Sequence, residues 1–326
     1  MSLLDIKPHE VSRDLRGYSV FFYGDPKSGK TTIASKFPKA LLLAFEKGYN
    51  ALPGVYAQPI NSWGEFKKLF SELKTPEVQE KFQTIVIDTA DIAYGYCEKF
   101  ICGREAVDTI GDIPYGKGYA LVSTEFDEAI RKILQLNYGL ILISHAKVKT
   151  EKNAKGEDVA SQIVPTLDNR GRLICERTCD IIGYSSSVTN ESGGTETRLF
   201  MRGTPQYVAG SRFKYVPESI EFTYDNLVKA ISDAIDKQAE ETGGKYITDE
   251  ATQVVTEDVT YDFDYLMTRF NDLVGNLMSE NQSNAVKITA IVDKFLGKGK
   301  KVGDCTPEQS EQLDLIIHEL EDLIKT

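Results

Sequence analysis

A stretch reading Gly24-Asp25-Pro26-Lys27-Ser28-Gly29-Lys30-Thr31-Thr32 leaves this chain few folds to choose from. It fits the phosphate-loop pattern G-x-x-x-x-G-K-[ST] without a mismatch. Its flanks fit as well: residues 18–23 are apolar and read as a buried strand, and residues 31–37 open a helix that stops before Pro38. The glycines let backbone N–H groups curl around phosphates, and the helix start adds positive potential. Lys30 is placed to reach β- and γ-phosphates, and the Thr31 hydroxyl to ligate Mg²⁺. The pattern implies a bound nucleoside triphosphate.

The rest of the chain is consistent with the α/β fold that such a loop requires. Residues 40–45, 84–88 and 139–144 are further apolar runs of strand length. Between them, residues 63–73, 91–101 and 119–137 place apolar side chains at helical spacing. Strands that are apolar throughout and alternate with helices predict a mostly parallel sheet covered on both faces. Residues 180–188 and 195–202 flank Asn190-Glu191-Ser192-Gly193-Gly194 and predict a late β-hairpin. A further strand is expected over 206–216 and a helix over 224–239.

Two long polar stretches interrupt the pattern. One is Gly-rich, residues 103–118, and the other lysine-bearing, residues 147–164; both are expected as loops. The domain plan that follows is an arm over 1–16, a core over 17–240, an acidic linker over 241–262 and a small helical domain over 263–326. Three helices are expected in the last, over 263–278, 284–296 and 308–324, with Thr306-Pro307-Glu308 as a start signal.

Charge separates the two halves of this plan. The net charge is −11. From residue 241 onward there are 8 basic against 17 acidic residues, and before it 30 against 32. The acidic tail is therefore a poor surface for nucleic acid, while the near-neutral core can still carry a local basic groove. No apolar run approaches the ~20 residues of a membrane span, and no secretory leader is read at the N-terminus, so a cytoplasmic location is expected. The five cysteines are then reduced thiols. The pairs Cys97/Cys102 and Cys175/Cys179 lie in apolar periodic surroundings without nearby histidines, which favours core packing over zinc.

Candidate site residues gather at predicted strand ends. Asp88 closes an apolar strand, the position from which a carboxylate holds Mg²⁺, usually through water. Thr89 follows, where many phosphate-loop ATPases carry a glutamate. Glu46, past the end of the strand after the phosphate-loop helix, is the candidate for orienting an attacking water; the competing reading is a solvated strand-end charge. Ser144-His145 ends the fourth strand, and His145 is either a γ-phosphate sensor or a plain loop histidine. Arg202, Arg212 and Lys214 follow the hairpin, either as arginine fingers toward a neighbouring subunit or as charges protecting an edge. Tyr115 and Lys117 in the first long stretch, and Lys147, Lys149, Lys152 and Lys155 in the second, offer stacking and phosphate neutralisation to single-stranded DNA, or are merely solvated. Arg170 and Arg172 lie close behind.

The combination of 24–32, Thr84-Ile85-Val86-Ile87-Asp88-Thr89, Tyr115-Gly116-Lys117-Gly118 and Ile143-Ser144-His145-Ala146-Lys147 resembles the RecA-like core ATPases. It resembles most closely the phage-encoded RecA-like single-strand-annealing ATPases, also described as phage AAA-type nucleotide-binding proteins. Arg198-Leu199 and Tyr207-Val208-Ala209 add to the likeness, which spans residues 17–220. The resemblance implies a RecA-like P-loop NTPase core that uses ATP and Mg²⁺ and forms homo-oligomers with shared interfacial sites. It also implies contact with single-stranded DNA through the two long stretches, and a role in phage DNA recombination or annealing beside a single-strand-binding or other recombination protein. By position it makes Lys30 and Thr31 the phosphate-loop residues, Asp88 the magnesium-side carboxylate, Glu46 the water-activating glutamate and His145 the sensor. The chain departs from the pattern where a late Lys-x-Arg is usual, since Gly210-Ser211-Arg212 keeps only the arginine, and where an acid usually precedes Glu46, since Ala44-Phe45 stands there. A nucleotide-controlled adaptor that recruits a partner through its acidic tail is the alternative. A small-molecule kinase is disfavoured by the lack of an arginine-rich lid, and a GTPase by the lack of an Asn-Lys-x-Asp motif.

Overall fold

The computed structural model describes residues 4, 6–152, 158–190, 192–251 and 261–325. Two compact units divide the chain, residues 1–255 and 256–326.

In the first unit the elements run β1 (Val11–Ser12), β2 (Ser19–Gly24), α1 (Lys30–Ala34), β3 (Ala40–Ala44), β4 (Tyr56–Pro59), α2 (Trp63–Leu73), α3 (Pro76–Lys81), β5 (Thr84–Asp88), α4 (Ala90–Glu105) and α5 (Lys117–Gln135). They continue with β6 (Gly139–Lys152), β7 (Asp158–Pro165), α6 (Asn169–Thr178), β8 (Ile181–Thr189), β9 (Thr195–Phe200), β10 (Gly210–Ser211), β11 (Ser219–Glu221), α7 (Tyr224–Glu240) and β12 (Ile247–Thr248).

The main sheet runs β11-β9-β8-β2-β6-β5-β3-β4, and from β8 to β4 all neighbours are parallel. One strand, β6, separates the phosphate-loop strand from the strand bearing Asp88. This is a RecA-like P-loop NTPase core with a late antiparallel hairpin, β8–β9. The alternation of the strands sorts the core into two layers. Phe21, Leu43, Ile85, Ile87, Leu140 and Leu142 pack with Trp63, Phe66, Tyr94 and Phe126 of the α2/α4/α5 layer. Val20, Phe22, Leu42, Val86, Ile141 and Ile143 face Ile33 of α1 and Leu227, Ile231 and Ile235 of α7.

Several expectations change. Residues 147–152 and 158–164 of the stretch expected as a loop form the outer part of a second antiparallel hairpin in which β6 runs on past His145 and β7 returns beside it. The stretch Lys147-Val148-Lys149-Thr150 has no apolar stripe because Val148 is itself exposed (67 %), so only the backbone ladder makes it a strand. Residues 103–118 are largely ordered as well: α4 continues to Glu105, two short 3₁₀ turns follow, and α5 begins at Lys117. The strand expected over 206–216 shrinks to β10. The linker expected over 241–262 holds β12, which pairs in parallel with β1 of the expected arm. Arg13 secures the join through Asp236 (2.5 Å) and Asp249 (2.7 Å).

The second unit contains α8 (Phe263–Glu280), α9 (Asn284–Leu296) and α10 (Ser310–Lys325) around a core of Leu266, Leu277, Ile288, Val292, Leu313, Ile316 and Leu320. A capping box between Thr306 and Gln309 precedes α10. No described helix is long and apolar enough to cross a membrane.

Candidate active site

Sheet register brings the candidate residues together. Gly24 pairs with His145, Ala44 with Asp88, and Asp88 with Ile143, so the carboxyl ends of β2, β3, β5 and β6 share one edge. Open parallel sheets collect ligands along that edge.

The phosphate loop turns through left-handed backbone at Lys27 (φ 63°) and Gly29 (φ 85°), the residue before α1. It leans on β8. A Cβ at Gly24 would lie 2.0 Å from the Ser185 carbonyl oxygen, so only glycine permits this approach. The Asp25 N–H donates to that carbonyl (3.2 Å), Ser28 Oγ meets Ser185 Oγ (2.7 Å), and Ser186 Oγ donates to Asp25 Oδ2 (2.9 Å). Lys30 is buried, and its Nζ donates to the carbonyls of Gly24 (3.1 Å) and Asp25 (2.7 Å). Burial pulls the Lys30 ammonium below its ordinary pKa, while the carboxylates of Asp88, Asp25 and Glu46 pull it back up.

Asp88 is 1 % exposed and accepts from Thr31 Oγ1 (2.8 Å). Burial lifts its carboxyl to about 6, the Thr31 hydrogen bond opposes this, and Glu46 adds to the rise. Beside the pair sits Gly48, whose missing side chain leaves space: a Cβ there would be 3.2 Å from Asp88 Oδ2 and 3.3 Å from Thr31 Oγ1. A buried carboxylate, a hydroxyl and an adjoining hollow suit a hard, oxygen-preferring divalent cation such as Mg²⁺. Thr31 and Asp88 would hold it, and Lys30 with the loop N–H groups would hold the phosphates. Bound there, the cation supplies charge neutralisation to the phosphates.

Glu46 follows β3, fixed by the N–H groups of Phe45 (2.7 Å) and Glu46 itself (3.1 Å), both donating to the Asp88 carbonyl. Its Oε2 lies 3.3 Å from His145 Nε2, and both side chains are about one-third exposed (35 % and 32 %). The two therefore line the open rim of the site, where a carboxylate can accept a proton from a water or orient it.

Other candidates lie elsewhere. Arg212 follows β10, which pairs with the amino end of β8, so it sits at the edge of the sheet away from the phosphate loop. Its guanidinium reaches Asp180 Oδ1 (3.3 Å) and donates to the Arg177 carbonyl (3.0 Å). Arg202 donates to the carbonyls of Val216 and Lys214 (both 2.8 Å), and Lys214 pairs with Glu241 (2.6 Å). Tyr115 is 98 % exposed on left-handed backbone (φ 59°), and Lys117 is exposed at the start of α5. Lys147 donates to the Thr166 carbonyl (3.1 Å), and Lys149 is exposed on the same strand. Lys152 ends that strand, and Lys155 lies outside the described residues. Cys97, Cys175 and Cys179 are buried free thiols whose ionisation burial opposes. Pro26 and Thr32 complete the loop stretch.

Sequence reasoning missed the supports. Ser185 and Ser186 brace the loop, Gly48 opens the hollow, and Thr166 and Asp91 hydrogen-bond beneath the rim (2.7 Å). The run Tyr184-Ser185-Ser186-Ser187 inside a strand was the available signal, since small polar residues there mark a close backbone approach.

The family model described as an AAA domain matches residues 16–213. An SPbeta prophage-derived uncharacterized protein, YorG of Bacillus subtilis (strain 168), is 31 % identical over 320 residues, 96 % of each chain. Among solved structures, a KaiC-like protein of Pyrococcus horikoshii is 12 % identical with a TM-score of 0.35, over 66 % of this chain and 99 % of that one. The flagellar accessory protein FlaH of Methanocaldococcus jannaschii gives 12 % and 0.35, over 64 % and 85 %. The AAA-domain match takes in the loop, Glu46, Asp88 and His145, and membership of that family suggests nucleotide binding and ATP hydrolysis. The chain belongs to the AAA-domain family of P-loop NTPases.

Proposed function

We propose that this protein is a Mg²⁺-dependent, single-stranded-DNA-stimulated ATPase acting in phage DNA recombination or annealing, as an oligomer with ATP sites at subunit interfaces. One observation carries the reading. The strand that ends the nucleotide site at His145 runs without a break into the β6–β7 hairpin bearing Lys147, Lys149 and Lys152. A change at the Glu46–His145 pair therefore has a direct mechanical route to a lysine-bearing projection. In this reading Glu46 orients the attacking water and His145 senses the γ-phosphate. Tyr115 and Lys117 supply a second contact to the strand, stacking and neutralising charge. Encoding by a phage is supported by the prophage origin of the relative.

The test is ATP turnover by the purified full chain with and without single-stranded DNA, beside DNA binding at two salt concentrations. DNA stimulation, with binding that weakens steeply with salt, is expected. Tight ATP binding without stimulation or DNA association would sink the DNA reading. The adaptor reading, favoured by the separate acidic unit with its own core, would then be pursued through that unit's protein partner.

A further inference from the structure

Thr166 follows β7 and is where the hairpin returns to the sheet. Its N–H donates to the His145 carbonyl (2.9 Å). Its hydroxyl donates to Asp91 Oδ2 (2.7 Å) and lies 3.2 Å from Ser144 Oγ. Its carbonyl accepts from Lys147 Nζ (3.1 Å). A threonine hydroxyl has a single proton. Donation to the Asp91 carboxylate uses it, and the Ser144 hydroxyl lies 3.2 Å from both Thr166 Oγ1 and the His145 carbonyl. Asp91 stands in the first turn of α4, three residues beyond Asp88, and its Oδ1 is buried without a partner. One side chain thus ties the hairpin's outgoing strand, its return and the helix that begins at the metal-side carboxylate.

We infer that Thr166 is a positioning residue: it locks the base of the β6–β7 hairpin to α4, so that the state of the nucleotide site sets the order of the hairpin. The inference rests on the hydrolysis reading only for its kinetic consequence. Without the hydroxyl, Asp91 Oδ2 loses the Thr166 donor and Ser144 Oγ loses its Thr166 neighbour. His145 then remains attached to the return strand through the backbone alone.

The experiment uses the full chain with Thr166→Val, which keeps shape and removes the hydroxyl, and Thr166→Ser, which restores it. Hydrogen exchange of the amides in 146–150 and 160–165 is followed with and without Mg²⁺ and a non-hydrolysable ATP analogue. In the wild type the analogue is expected to slow exchange there by about fivefold or more. Thr166→Val should bind the analogue with near wild-type affinity yet lose that protection, and Thr166→Ser should regain it. Turnover should show the same split, kcat falling about tenfold in Thr166→Val at nearly unchanged KM. Full protection in Thr166→Val, or a wild-type hairpin indifferent to bound analogue, overturns the inference. A wild type that binds the analogue and protects the hairpin but does not hydrolyse ATP would instead overturn the hydrolysis reading, leaving the exchange comparison to decide on Thr166.

Discussion

Asp88 shows how a single residue binds pH, stability and cation affinity together. Its pKa is raised by burial, so the folded state holds a proton that the unfolded state releases between about pH 4 and 6. Stability contributed by this group is therefore largest below pH 4, falls as pH rises through that window, and stays low above it. Asp88→Asn should stabilise the nucleotide-free protein at pH 8 by on the order of 2 kcal/mol, read from chemical denaturation. The same variant should lose Mg²⁺-dependent nucleotide binding. In the wild type, Mg²⁺–nucleotide affinity should drop as pH falls below about 6, because the cation competes with the proton. Gly48→Ala tests the hollow directly: its methyl would stand against Asp88 Oδ2 and Thr31 Oγ1, and Mg²⁺ dependence should weaken with little change in stability. At this scale Lys30, Thr31 and Asp88 are legible because the phosphate-loop motif is local and an aspartate closing an apolar strand is visible in the chain. Ser185 and Thr166 are not, because sheet register and the hairpin's return create their roles, 157 residues from Ser28 and 75 from Asp91 respectively.

Between residues and molecule, the proposed function turns on the β6–β7 hairpin. Besides Thr166, it is anchored by Tyr23 of β2. The Tyr23 hydroxyl donates to the Val208 carbonyl (2.6 Å), accepts from the Val208 N–H (3.0 Å) and lies 3.2 Å from the Ile163 carbonyl. Tyr23→Phe leaves the Val208 carbonyl without the Tyr23 donor, while the Val208 N–H still donates to the Ile163 carbonyl (3.3 Å), and should cost about 1–3 kcal/mol in urea unfolding while speeding amide exchange in β7. A Tyr23→Phe protein as stable as wild type would mean that the anchor contributes nothing. Helix α2 was legible to the residue because Phe66, Leu69, Phe70 and Leu73 mark one face. The hairpin was not, because polar strands beyond a core carry no side-chain alternation to read. The short pair β1 and β12 escaped for a related reason: two residues are too few to show a period.

On the scale of the whole molecule, the alternation of strands and helices was enough to give the parallel sheet, and the charge shift near residue 241 anticipated a separate acidic part. The boundary between the units, after Val255, falls inside the linker expected over 241–262, and β12 within that stretch belongs to the first unit. Each unit has its own apolar core. Residues 1–255 alone should therefore fold and bind Mg²⁺–ATP within about threefold of the full chain, checked by calorimetry and nucleotide titration. In the proposed function the edge formed by Gly24, Glu46, Asp88 and His145 is a hydrolytic ATP site. Its most direct test is Mg²⁺–ATP binding and single-turnover hydrolysis by the wild type, Lys30→Ala and Glu46→Gln. The expected result is binding lost in Lys30→Ala, and binding kept but turnover lowered by about 10²-fold or more in Glu46→Gln. Turnover by Glu46→Gln at the wild-type rate would contradict it.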